Sequence, residues 1–317
     1  MEAATLNIST LNEDKDYFEV APGVWGMKII FVNIFMVSTG NANEWVLVDA
    51  GLKGFAGKIE EMATDLFGKN NPPAAIILTH GHFDHIGAIK QLLQIWQVPV
   101  YAHPLELPYL TGLSAYPPPD PTVGGGLMSL MSVLYPKKPI DLGKQIHAMP
   151  DNGSVPFLSD WIFIFTPGHA PGHISLWRKR DKLLIAGDAF VTTQQESAFS
   201  VATQKRVVSG PPKYFTPDWI ESATSVKKLR DLHPAIAATG HGKPMYGHEL
   251  TEGLNNLVQN FEELAIPHQG RYVKEPAKAN KRGVQYVPPE PFNPLMAASV
   301  AGILALGIYA LVKKAKK

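Results

Sequence analysis

Thr79-His80-Gly81-His82-Phe83-Asp84-His85 packs three histidines and one carboxylate into residues 80–85. The apolar run Ala74 to Leu78 precedes it and reads as a buried strand. A helical pattern follows, with Ile86, Ile89, Leu93 and Trp96 on one face. The ligand-type side chains therefore sit on a tight turn between a strand end and a helix start, where several imidazoles can be aimed at one point. Imidazole plus carboxylate suits zinc, iron, cobalt or manganese.

The same design recurs further along the chain. Trp161 to Phe165 reads as a strand and is followed by Thr166-Pro167-Gly168-His169-Ala170-Pro171-Gly172-His173. Leu183 to Ala186 ends in Gly187-Asp188-Ala189, and Ala235 to Ala238 ends in Thr239-Gly240-His241-Gly242. Loops beyond the strand ends of an α/β sheet converge on one edge. The candidate metal ligands are therefore His80, His82, Asp84, His85, His169, Asp188 and His241. Seven ligands are too many for one tetrahedral site and suit two metals. Two metals about 3.5–4 Å apart can hold a bridging hydroxide at neutral pH and polarise a carbonyl or phosphoryl oxygen. Asp84, next to such a nucleophile, is the candidate catalytic residue, guiding a proton toward the leaving group. Asp49 and His173 are candidates for bracing the ligands from behind. As a turn former, Asp49 has an equally good structural reason to be where it is.

His80-x-His82-x-Asp84-His85, then His169, Asp188 and His241 in that order, resembles the metallo-β-lactamase superfamily over most of the chain. The resemblance implies a four-layer αβ/βα sandwich with the metals at one edge of two sheets. It implies that His80, His82 and His169 hold one metal, that Asp84, His85 and His241 hold a second, and that Asp188 bridges them. The metals it implies are two divalent ions, zinc before iron, manganese or cobalt. It does not fix the substrate. Zinc β-lactamases with this pattern usually carry a cysteine where Asp188 stands, and this chain has no cysteine. The wording around His169 and Asp188 is similar to lactonase-like and glyoxalase II-like hydrolases. The expected activity is thus hydrolysis of a carboxylic ester, lactone or thioester by a metal-bridging hydroxide. The alternatives are a phosphodiesterase or β-lactamase-type hydrolase, a mono-iron sulfur dioxygenase, and an inactive membrane-bound scaffold.

The rest of the chain bounds this reading. With 317 residues, 45% of them apolar, it can bury one large core. A net charge of +1 leaves no electrostatic footprint for nucleic acid. Residues 1–22 read as a lead-in without signal-peptide character, and residues 23–265 as the hydrolase domain. Within that domain, residues 104–150 form an irregular apolar insert suited to a lid over a lipophilic acyl or lactone substrate. Lys205, Arg206, Lys213 and Lys243 keep a charged, glutathione-like substrate open. Thr216 reads as a helix N-cap, and Leu250, Leu254, Leu257, Phe261 and Leu264 as one helical stripe. Residues 266–294 read as a linker. Leu295 to Val312 runs without a charge before the basic tail at 313–317, and reads as a transmembrane helix that tethers a cytoplasmic catalytic body.

Overall fold

The structure is a computed structural model and describes residues 16–290. Two sheets carry the fold. The first runs in spatial order β1 (Tyr17–Ala21), β2 (Val24–Ile29), β3 (Val32–Ser38), β4 (Trp45–Val48), β5 (Ala75–Ile77), β6 (Val100–Ala102) and β7 (Ile146–Ala148). Its first four strands are antiparallel neighbours, and from β4 onward the pairs are parallel. The second runs β8 (Ser154–Val155), β9 (Leu158–Phe165), β10 (Ile174–Arg178), β11 (Leu183–Ile185), β12 (Ile236–Ala238) and β13 (Met245–Tyr246). There only β11 and β12 pair in parallel. A hairpin, β14 (Lys278–Asn280) and β15 (Gly283–Tyr286), lies apart from both.

Parallel neighbours require crossovers. α1 (Ala56–Phe67) joins β4 to β5, and α2 (Phe83–Ile86) with α3 (Ile89–Trp96) joins β5 to β6. α4 (Leu107–Leu110) and α5 (Leu127–Met131) lie between β6 and β7. α6 (Ala198–Thr203) and α7 (Trp219–Arg230) link β11 to β12, while α8 (Gly247–Gln259) and α9 (Phe261–Leu264) follow β13.

The period-2 alternation of strand side chains sorts the apolar residues into three layers. Trp45, Leu47 and Ile76 join Ile59, Met62 and Leu92 beneath α1 and α3. Their strand neighbours Val46, Val48, Ala75 and Ile77 face the other way, meeting Ile174, Leu176, Leu183 and Ile185 of the second sheet. Trp177, Leu184 and Ala237 point outward again, onto Val226, Leu229, Leu250 and Leu254 of α7 and α8. Helix, sheet, sheet and helix are thus cemented by three apolar seams, which is the four-layer sandwich. Both faces of each sheet are covered, so central strands such as β4, β5 and β11 read as unbroken apolar runs. Trp45 anchors the outer seam. Its ring stacks on Phe67 at 4.8 Å and meets Trp96 edge-on at 5.5 Å.

The pairing fixes a common direction. β9 and β11 both run antiparallel to β10, and β12 runs with β11. The C-terminal ends of β9, β11 and β12 therefore emerge at one edge, carrying the segments of His169, Asp188 and His241. β4 and β5 run together in the first sheet and deliver Asp49 and the 80–85 turn. The edges are tied together directly: the Ile174 amide donates to Thr79 O at 3.0 Å, and the Asn33 amide to Gly240 O at 2.7 Å.

Several expectations change. Tyr17–Ala21 is an edge strand of the first sheet, so the lead-in is shorter than residues 1–22. Helix α7 is capped by Asp218, whose Oδ1 accepts from the Ile220 and Glu221 amides, because Pro217 lies before the cap and not in the first turn. Thr216 instead donates to Pro212 O. The stripe from Leu250 is interrupted at Asn260, and Leu264 ends up exposed. Residues 266–290 are not a free linker. Tyr272 is buried and donates its hydroxyl to Pro118 O at 2.6 Å, and the Val284 amide donates to Ser114 Oγ at 3.1 Å. This segment clamps the 104–150 insert from outside. The insert itself holds short helices and ends in β7, which extends the first sheet. The expected hydrophobic helix over 295–312, with its tether, lies outside the described residues. Among the described residues, no helix is long and apolar enough to cross a membrane.

Candidate metal centre

The fold brings all seven sequence-predicted ligands to one place and buries every one of them. Three sets of ligand atoms lie within 4.8 Å of one another: His80, His82 and His169; His80, His85 and Asp188; Asp84, His85 and His241. Asp188 is central, its Oδ2 standing 3.0 Å from His241 Nε2, 3.4 Å from His169 Nε2 and 3.5 Å from His85 Nε2. His82 Nδ1 and His169 Nε2 are 2.9 Å apart. Asp84 Oδ2 lies 3.5 Å from His241 Nε2.

Metal ions fit this donor set. His80 Nε2, His85 Nε2 and Asp188 Oδ1 are buried with no hydrogen-bond partner. A buried polar atom left unpaired costs about 1–3 kcal/mol, and three of them face one another here. Metal ions held by these residues would satisfy all three. Backbone at the centre is also pared to the minimum, since a Cβ on Gly240 would stand 2.0 Å from Asp188 Oδ1 and 2.8 Å from His85 Cε1.

Protonation divides the imidazoles. Burial drives His80 and His169 well below the ordinary histidine range, reinforced by neighbouring imidazoles, and takes His82 down to about 3. These three are neutral donors, as metal ligation requires. Burial also opposes charge on His85 and His241, but the carboxylates around them outweigh it and raise both. For His85 those are Asp188, Asp49 and Asp84. Burial likewise opposes the Asp188 carboxylate, and His241 with His85 overcomes it, holding Asp188 well below its usual range. Asp84 is raised by burial.

The outer partners explain the orientation of each ligand. Asp49 sits at φ +62°, a left-handed conformation that aspartate tolerates at a turn. Its Oδ2 meets His85 Nδ1 at 2.8 Å and accepts from Thr79 Oγ1, and its Oδ1 accepts from the Thr79 amide at 2.8 Å. The turn reading and the bracing reading of Asp49 thus describe one residue. His173 accepts the Asp188 amide on Nε2 at 2.9 Å and meets Thr166 Oγ1 through Nδ1. His103 stacks on Phe165, and His147, His233, His248 and His268 lie exposed, all away from the cluster.

Other residues around the centre carry no metal-type signature and were not singled out by sequence. Asn33 donates Nδ2 to Thr239 O and Gly242 O, clamping the His241 loop. A lone amide inside an apolar strand run was its only trace. Glu106, fully buried, accepts the Gly81 amide on Oε2 at 2.9 Å and the Gly172 amide on Oε1 at 2.7 Å. It also accepts the Tyr116 hydroxyl. One carboxyl group thereby joins the 80–85 turn, the 169–173 turn and the insert. The ring of His82 is held between Tyr116 at 4.5 Å and Phe215 at 4.7 Å.

A cavity of about 530 Å³ opens beside His82 and Phe83. Tyr116, Pro117, Pro136 and Ile140 of the insert line it together with Leu52, Phe55 and Ile86. Lys205, Arg206, Lys213 and Lys243 do not line it.

Known proteins share this sequence pattern and fold. The Metallo-beta-lactamase superfamily profile matches residues 28–241. The chain belongs to that superfamily. It is 45% identical over 248 residues to the Probable metallo-hydrolase YflN of Bacillus subtilis, spanning 78% of this chain and 94% of that protein. The Probable metallo-hydrolase YybB of the same organism is 27% identical over 205 residues, 64% of this chain and 79% of YybB. Among solved structures, a metallo-beta-lactamase family protein of Thermus thermophilus shares the fold at TM-score 0.53 and 18% identity, over 77% of this chain and 81% of that one. A beta-lactamase from Chitinophaga pinensis does so at TM-score 0.52 and 16% identity, over 79% and 92%.

Proposed function

We propose that the chain is a metal-dependent hydrolase of carboxylic esters, lactones or thioesters, working with two divalent metals, zinc foremost. The observation that carries this reading is the convergence of three overlapping His/Asp sets on one buried point, with an apolar cavity lined by one of their members, His82. The metallo-hydrolase names of its relatives support it. His80, His82 and His169 would hold one metal and Asp84, His85 and His241 the other, with Asp188 reaching both. Once bound, such metals supply a nucleophilic water at neutral pH and polarise a carbonyl oxygen.

The protein's own groups do the remainder. Tyr116, Phe83 and Phe215 shape an apolar approach that favours an acyl group over a sugar or a nucleic acid. Asp84 Oδ2, beside His241, is positioned to accept a proton and pass it toward the leaving group. Asp49 and His173 orient the ligands so that no rearrangement is needed during turnover.

A substrate panel tests the reading: an acyl-homoserine lactone, an aryl ester, S-lactoylglutathione, nitrocefin and bis-nitrophenyl phosphate, with metal content measured on the same sample. Carbonyl esters or thioesters should be turned over fastest, with two metals per chain. Preference for the phosphodiester would refute the choice of a carbonyl centre, and one iron per chain with oxygen uptake would favour a dioxygenase.

A further inference from the structure

The charge around the cavity is one-sided. The whole chain balances 29 basic against 28 acidic residues, yet Lys53, Lys90, Lys137 and Lys138 line this cavity and no carboxylate does. These lysines come from three separate segments: the loop after β4, helix α3 and the insert after α5. None of the four is ion-paired among the described residues. The rest of the lining is largely apolar, with Leu52, Phe55, Phe83, Ile86 and Ile140, and His82 is the one member of the ligand cluster that lines it.

The cavity thus combines one residue of the ligand cluster, apolar walls and cations. Apolar walls favour burial of a hydrocarbon arm. Unpaired ammonium groups with no competing carboxylate favour an anion and raise its local concentration. We propose that the substrate is an anionic amphiphile: its ester or thioester carbonyl lies at the His82 end, an apolar arm fills the cavity, and a carboxylate or phosphate at the far end meets the four lysines. This names the substrate class of the hydrolase proposed above and rests on that reading. It places the recognition charge at lysines other than the four basic residues that sequence had left open.

Binding of inert thioether analogues to the full chain tests the proposal without depending on turnover. Three ligands share a hexyl arm: S-hexyl-coenzyme A with a phosphate terminus, 6-(hexylthio)hexanoate with a carboxylate terminus, and uncharged S-hexyl-N-acetylcysteamine. Calorimetry at low and high salt should show at least one charged ligand binding roughly tenfold tighter than the uncharged one, and that advantage shrinking as salt rises. The double variants K53Q/K90Q and K137Q/K138Q should each lose much of the advantage, by about threefold to tenfold, while leaving binding of the uncharged ligand unchanged. Whichever terminus binds tighter identifies the anion. Equal binding of all three ligands, or an advantage that survives both double variants, overturns the proposal. None of these ligands is hydrolysed, so a protein that cleaves no ester can still pass, and a competent esterase can still fail.

Discussion

At the scale of single residues, the centre depends on atoms that leave room as much as on atoms that bind. Gly240 is the clearest case, since any side chain there occupies the space next to Asp188 Oδ1. Gly240→Ala should weaken metal binding by about 100-fold, the upper end of what disturbed ligand support costs. Metal retained after dialysis against a weak chelator measures this, and full loading of the variant would contradict the assignment of Asp188 as a ligand. Asp49 shows the complementary case, a residue placed by its backbone for a purpose. Its left-handed conformation turns the chain and points both carboxylate oxygens back onto Thr79 and His85.

At the scale of elements, the two metal-bearing turns belong to different sheets and need a link. Glu106 supplies one, through the Gly81 and Gly172 amides and the Tyr116 hydroxyl. Burial raises its carboxyl from the usual 4.5 to about 7, even though three donors favour the charged form. The folded chain therefore holds this proton more tightly than the unfolded chain. Stability should fall as pH rises from about 4.5 to about 7, by an amount on the order of 3 kcal/mol. In Glu106→Gln the fall should flatten. An amide nitrogen facing the donors at Gly81 and Tyr116 should itself cost about 1–3 kcal/mol. Denaturant melts of both proteins across that pH interval decide the matter, and parallel curves would show that Glu106 does not titrate there.

At the scale of the whole molecule, metal is expected to act as a staple between sheets. The 80–85 turn belongs to the first sheet, and His169, Asp188 and His241 to the second, so any ion shared among them fastens the sandwich at its open edge. Stripping metal should lower the melting temperature by several degrees, corresponding to about 4 kcal/mol if metal is normally present at a thousand times its Kd. Reloading the stripped protein with zinc at neutral pH should release protons, because His85 and His241 are raised and must give up their protons to bind. Affinity should accordingly weaken as pH falls. Calorimetry in buffers of different ionisation enthalpy reads the proton count, and no release would mean that these two imidazoles do not take up metal.

Much of this was legible in the linear chain, because the strongest signals are local. The His-x-His-x-Asp-His turn after an apolar run, and the three later strand ends with a ligand residue close behind, need only spacing and residue type to be recognised. β5, β11 and β12 differ from the apolar runs by one residue at one or both ends, and β9 begins three residues before Trp161. The cap of α7 was misplaced by two residues because a Thr-Pro pair and an Asp both carry helix-start signals, and only the hydrogen bonds distinguish them.

What composition and motif order determined by themselves was the identity of the donor atoms and the kind of scaffold that could gather them, since ligand chemistry is written in residue types. Tertiary structure alone decided the partnerships that join residues far apart in sequence: Asn33 with the His241 loop, Glu106 between two turns, residues 266–290 on the insert, and four lysines from three segments around one cavity. Glutamates, asparagines and lysines have many ordinary places on a protein, and only the packing of distant segments gives these particular ones a shared neighbourhood.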